Sequence, residues 1–286
     1  MGLLYLLCMR NKKLIVLLSV VCVLVLVIVI CGATFLVRDV DAYSYYATAD
    51  GEDYDARVVA AAGIEMNSSM FFVDEAAIKS RVENAYPNIG VINVKRSFPD
   101  KVTINYVVYE RLFQYENGGM YYQCYSSGRI GSTSATKPGG YLTVKPAGDT
   151  ATTIGAYFQA EGGSDRAVID AYIAFMHDKG IIDEQMTEIT NFIDLRRSGY
   201  IYIRMVSGVS IELHCGASDF ARLMERGFAV YKDDRTEKAT GLIRVEFNNS
   251  ASASDPIRST YTGPGANTDY TDEGYYASRY ESAAAH

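Results

Sequence analysis

AAGIEMNSSMFFVDEAAIKSRVENAYPNIGVINVKRSFPDKVTINYVVYERL, residues 61–112, is the stretch from which the fold is read. Just upstream, Asp55 can cap a short helix over Ala56 to Ala62, and Gly63 supplies the left-handed residue that ends it. Asp74 caps a second helix in which Ile78, Val82 and Ala85 recur at helical spacing, and Pro87 stops it. Val91 to Arg96 and Lys101 to Tyr109 then read as two strands joined through Ser97-Phe98-Pro99-Asp100. In the second strand Val102, Ile104, Tyr106 and Val108 alternate onto one face, the period of a half-buried hairpin strand. With a weaker strand expected in Val37 to Tyr46, the order is strand, helix, helix, strand, strand. That order describes a two-layer α+β module with its helices on one face of a small sheet.

Upstream lies LIVLLSVVCVLVLVIVICGATFL, Leu14 to Leu36, 23 residues without a charge. A helix of that length reaches roughly 35 Å, enough for a hydrocarbon core of about 30 Å with modest tilt. Arg10, Lys12 and Lys13 precede it, whereas Val37 to Ala60 carries six acidic residues against two basic ones. The positive-inside rule then puts the N-terminus in the cytoplasm and everything after Leu36 outside. The run is too long for the apolar core of a cleaved signal peptide, and no small-residue cleavage site follows Phe35. A lipoprotein box at Ile28 to Gly32 is disfavoured by large Ile30 before Cys31.

The net charge of −7 and the lack of a basic stripe argue against a nucleic-acid surface. Of five cysteines, Cys8, Cys22 and Cys31 lie in or beside the apolar run. Cys124 and Cys215 read either as one bridge or as two independently buried thiols, and without a CxxC pair no zinc site or disulfide framework is expected.

The run Ala61 to Leu112 resembles the POTRA domain of the FtsQ/DivIB bacterial cell-division proteins. The resemblance rests on Ala62-Gly63-Ile64, Phe71-Phe72-Val73-Asp74, Tyr86-Pro87, Val94-Lys95-Arg96-Ser97-Phe98-Pro99-Asp100 and Glu110-Arg111, in that order behind an N-in anchor. Tyr43 to Asp53 departs from the family's first strand, which usually ends in a Gly-Asn-like turn.

Downstream, Tyr115 to Ile130 suggests a hairpin and Gly131 to Gly140 a loop of small residues. Leu142 to Lys145 is a short strand. Asp165 to Lys179 is an amphipathic helix with Ile169, Tyr172, Ile173 and Met176 on one face. Strands are expected at Glu188 to Leu195, Tyr200 to Val206 and Val209 to Cys215, then a helix from a Ser218 cap to Tyr231, then a final strand, Gly241 to Phe247. This layout is similar to the β-rich second domain of the same family. It gives segments 1–13 cytoplasmic, 14–36 transmembrane, 37–112 POTRA, 113–250 β domain and 251–286 tail. The tail is almost free of aliphatic residues after Ile257 and is expected to be disordered.

The chemistry-bearing residues are sparse: His177, His214 and His286, Cys215 beside His214, and the pair Asp233-Asp234 in a polar loop. No nucleophile elbow, metal spacing or cofactor loop supports an enzyme, and none of the sites for catalysis, cofactor or metal is assigned. Small mixed sheets leave edges onto which another chain can add a strand. The resemblance implies that the second domain binds bitopic coiled-coil partners of the FtsL, FtsB or DivIC type in this way. The expected surface is Ile243, Arg244, Val245, Glu246 and Phe247, and Val245→Asp is expected to weaken partner binding without unfolding the exported part. The whole reads as a non-enzymatic divisome scaffold at the septal membrane, with no nucleic-acid or small-molecule partner. The alternative is a membrane-anchored POTRA module for polypeptide export or envelope binding.

Overall fold

The computed structural model describes residues 16–27, 30, 34–45, 53–159, 162–233, 241–248 and 256–263. Residues 16–27 are helical, and their large apolar side chains stand about half or more exposed. Among the described residues no helix is long and apolar enough to cross a membrane. Residues 14–15, 28–29 and 31–33 of the expected span lie outside the described residues, as do residues 1–13. Helix ends at Thr34, and Phe35 and Leu36 are already fastened to the folded part: Met70 N–H donates to the Phe35 carbonyl at 2.9 Å, and Leu36 bridges Ser69.

The chain divides after Val108 into two compact units. The first has the expected order: β1 (Asp39–Ser44), α1 (Asp55–Ala62), a 3-10 turn (Met70–Phe72), α2 (Glu75–Ala85), β2 (Ile89–Ser97) and β3 (Lys101–Val108). Its three strands run β1-β3-β2, with β1 parallel and β2 antiparallel to β3. Val102, Ile104 and Tyr106 face the helices and are buried with Val58, Ala62, Ile78 and Val82. The Asp74 carboxylate caps α2 by accepting from Ala77 N–H at 3.1 Å, and Gly63 ends α1 at φ 57°.

Three details differ from the sequence reading. Asp55 is the first residue of α1 rather than its cap; its carboxylate accepts from the Tyr106 hydroxyl at 2.6 Å and ties helix to sheet. Ala85 is exposed, while Val82 and Glu83 in the same last turn are buried. A bulge between Val91 and Asn93 resets the parity of β2, so that Ile89, Val91 and Val94 are buried and Ile92 is not. The amides released around the bulge are taken up by α2. Glu83 accepts from Val91 N–H and Glu75 from Val94 N–H, both at 3.1 Å. A buried amide without a partner would cost about 1–3 kcal/mol.

The second unit is one nine-stranded mixed sheet in the order β12-β11-β10-β9-β8-β7-β4-β5-β6. The strands are β4 (Arg111–Asn117), β5 (Met120–Tyr125), β6 (Ile130–Ser134), β7 (Leu142–Lys145), β8 (Thr190–Asp194), β9 (Ile201–Met205), β10 (Val209–Leu213), β11 (Gly241–Phe247) and β12 (Ile257–Thr262). Helices α3 (Ser164–Asp178), α4 (Asp183–Ile189) and α5 (Phe220–Tyr231) complete it. One core joins Leu142, Val144, Ile193, Ile203, Ile211, Leu213, Ile243 and Val245 of the sheet to Ile169, Tyr172, Phe220, Leu223 and Phe228 of the helices.

Four expectations are corrected here. Residues 131–134, expected within a loop, continue a strand from Ile130 that pairs with β5, and the Tyr125 ring lies so near Gly131 that a β-carbon there would stand 2.6 Å from it. The strand expected from Glu188 starts at Thr190, because α4 occupies the residues before it and buries Met186; seven residues are too few to show helical periodicity. Ser218 lies in a 3-10 turn and makes no cap bond to α5. Gly241–Phe247 is not the final strand, because Ile257–Thr262 within the expected disordered tail forms β12; residues 264–286 lie outside the described residues.

Candidate functional site

The C-terminal margin of the large sheet is built by a β10-α5-β11 unit followed by β12. Val209, Ile211 and Leu213 alternate on β10 and Ile243 and Val245 on β11, so the two strands lie parallel with α5 packed over them. Gly227 permits the close approach, since a β-carbon on it would stand 2.9 Å from Ile211 Cγ2 and 3.2 Å from Val245 Cγ2. Strand β12 pairs antiparallel with β11, from Leu242 opposite Thr262 to Phe247 opposite Ile257. Ile257 and Tyr261 lean onto the core, whereas Arg258, Thr260 and Thr262 are exposed. Beyond β12 no further strand pairs among the described residues.

This changes the roles of the five residues expected to bind a partner. Strand β11 is interior, with β10 on one side and β12 on the other. Ile243 and Val245 are fully buried, so Val245→Asp would place a charge in the core and unfold the unit rather than report on binding. Arg244, Glu246 and Phe247 remain partly exposed. The neighbouring outermost strand, β12, escaped the sequence reading. Its signal was the alternation of Ile257, Ser259 and Tyr261 with Arg258, Thr260 and Thr262.

On the sheet face opposite α5, the polar residues of β10 and β11 interlock. Glu212, almost fully buried, accepts from Arg244 Nε at 3.0 Å and meets His214 Nε2 at 2.7 Å. His214 Nδ1 stands 3.3 Å from Glu246 Oε2. The Tyr200 ring packs edge-on against His214 with centroids 4.4 Å apart, and the Arg197 guanidinium covers Tyr200 at 3.5 Å. Next to it the Tyr202 hydroxyl bonds Ser210 Oγ at 2.5 Å, and Arg204 donates to the same oxygen at 3.0 Å. Arg244 therefore spends part of its charge on Glu212, which leaves recognition by this margin to backbone and shape more than to a free cation.

The other candidates are not brought together. His177 pairs with Asp183 at 2.7 Å on the helical side, away from His214 on the sheet margin. Cys215 and Cys124 are both free and buried. Burial, with Asp219 adding to it, pushes the Cys215 thiol up to about 12, and burial raises Cys124 further. Neither is a thiolate nucleophile near neutral pH. Among the described residues no three His, Cys, Asp or Glu side chains converge as metal ligands. Asp234 and His286 lie outside the described residues.

Residues 55–108 match the model of the POTRA domain, FtsQ-type. The match begins at the first residue of α1 and ends at the last residue of β3, leaving β1 and the whole second unit outside it. A search of curated proteins returns no match.

Proposed function

We propose, from the premise that this chain carries an FtsQ-type POTRA domain and is assigned with it to the FtsQ/DivIB family of bacterial division proteins, that it is a non-enzymatic scaffold of the division complex. Domains of this type are generally non-enzymatic and serve protein–protein interaction in division. In our reading residues 14–34 anchor the chain in the cell membrane with the N-terminus in the cytoplasm, and both folded units stand outside. The exposed apolar helix over residues 16–27 supports the anchor. Confinement to the membrane raises the effective concentration of the scaffold towards other anchored partners without any new contact.

The observation that carries the reading is the place of β12 as the last strand of the sheet among the described residues. A segment of a bitopic coiled-coil partner, of the FtsL, FtsB or DivIC type, adds to it as a tenth strand beside β12, with Arg244, Glu246 and Phe247 of β11 one strand further in. Main-chain hydrogen bonds supply affinity in this mode and alternate side chains supply specificity.

Consecutive proline substitutions test the edge. Along an antiparallel strand alternate N–H groups point to opposite sides. One of Ser259→Pro and Thr260→Pro therefore removes an inner donor to β11 and the other an outer one. The outer substitution is expected to leave the full-length protein folded and to abolish capture of the partner, because edge strands tolerate proline where the N–H faces solvent. Undiminished capture by both folded variants would remove the edge model. The division role itself is tested by localising an N-terminally tagged full-length copy while the native copy is depleted. Uniform membrane distribution with normal division would defeat it.

A further inference from the structure

The point where the chain leaves its apolar segment is surrounded by exposed aromatic side chains. Phe35, one residue past the last helical position Thr34, sits in a cluster with Phe71 and Phe98. Ring centroids are 5.6 Å apart for Phe35 and Phe71, 5.4 Å for Phe35 and Phe98, and 5.8 Å for Phe71 and Phe98. The first two pairs meet edge to face, a favoured arrangement for aromatic quadrupoles. The cluster is nonetheless open to solvent: Phe71 is 52% exposed, Phe98 55% and Phe72 86%. Met66 is 53% exposed one residue before Asn67, whose N–H bonds the Val37 carbonyl at 2.8 Å. Exposed Arg38, Lys95 and Arg96 lie within three residues of Phe35 or Phe98 in the chain.

An aromatic group this open gains little in water, where burying each ring would be worth about 2 kcal/mol or more. Covalent continuity says what covers it. Successive Cα atoms are about 3.8 Å apart, so Phe35 cannot lie far from the end of the apolar segment. Exposed rings at that depth match the interfacial zone of a bilayer, where amphipathic and aromatic side chains concentrate. We infer that Phe71 and Phe98, packed on Phe35, together with the exposed Phe72, dock the FtsQ-type POTRA domain onto the lipid surface and fix its orientation there. This rests on the reading of residues 14–34 as a membrane anchor.

The chain has no Trp, so single substitutions report without background. Phe72→Trp, Val21→Trp and Tyr45→Trp are each made in the full-length protein. They are reconstituted in phosphatidylethanolamine/phosphatidylglycerol vesicles with acyl chains brominated at shallow or deep positions. Tyr45 is exposed just past the far end of β1, about 20 Å along the strand from the aromatic cluster. The expected result is a roughly twofold or greater loss of Phe72→Trp emission, stronger with shallow bromine, a comparable loss for Val21→Trp with deep bromine, and none for Tyr45→Trp. Quenching of Val21→Trp with none of Phe72→Trp would overturn lipid docking and leave the aromatic face to a protein partner. Equal quenching of Phe72→Trp and Tyr45→Trp would overturn it too. An unquenched Val21→Trp would instead sink the anchor reading, and this inference with it.

Discussion

The backbone of Gly227 in α5 lies against Ile211 of β10 so closely that a β-carbon would stand 2.9 Å from its Cγ2. The helix that bridges the parallel pair β10 and β11 therefore has no room for any other residue at this position. Both neighbours are fully buried branched side chains, Ile211 and Val245, with little freedom to move aside. Gly227→Ala removes a helix-weakening glycine, worth about 1 kcal/mol in its favour. Overpacking of about 1–3 kcal/mol opposes and outweighs it. Net loss of stability, read as a lower urea midpoint, is the expected outcome; a gain would mean that α5 stands off the sheet.

Glu83 offers a second test, in the POTRA domain. Its carboxylate holds the Val91 amide next to the β2 bulge. Glu83→Ala leaves that buried donor without its acceptor and is expected to cost about 1–3 kcal/mol. Glu83→Gln keeps a carbonyl oxygen in place and should recover most of the loss. Equal destabilisation by both would show that charge, not the hydrogen bond, is what β2 requires.

The junction of β1 with β3 should weaken in acid. Hydrogen bonds from Lys101 first and Tyr43 second hold the Asp41 carboxyl below its ordinary range. A depressed carboxyl stabilises the fold above its unfolded value, near about 3.9, and that contribution disappears as pH falls through the lower folded value. Hydrogen-exchange protection of the β1 amides, from Asp39 to Ser44, is expected to drop below about pH 4 while β2 and β3 hold. Lys101→Gln should shrink this acid step to what the Tyr43 hydrogen bond contributes. An unchanged step in that variant would assign it to other carboxylates.

Cys215 should behave as a core residue despite its neighbour His214. With its thiol pushed up to about 12, it carries almost no thiolate at neutral pH. Iodoacetamide, followed by peptide-resolved mass spectrometry, is expected to leave Cys124 and Cys215 unmodified in the native protein and to label both in denaturant. Rapid native labelling of Cys215 would reopen a nucleophilic role.

The parts of the fold legible in the sequence are those whose residues face one environment throughout. Val102, Ile104 and Tyr106 alternate into one core and mark β3; Phe220, Leu223, Met224 and Phe228 recur at helical spacing and mark α5. Strand β12 was obscured because an edge strand buries one side only partly: Ile257 and Tyr261 suffice for packing, and serine and threonine serve elsewhere. The same economy hid β6. Strand β11 was read correctly as a strand and wrongly as an edge, since periodicity reports which face is buried and not which neighbour takes the hydrogen bonds. The network of Glu212, His214 and Arg244 was equally out of reach, because it joins residues about 30 positions apart through a parallel register.

The nine-stranded sheet has one further consequence. Its two outermost strands, β12 and β6, are separated by eight interstrand steps of about 4.8 Å, so roughly 38 Å of hydrogen-bonded backbone lies between them. An extended peptide laid along one margin runs parallel to that margin and never approaches the other. A strand added beside β12 therefore lies at the opposite margin of the sheet from β6.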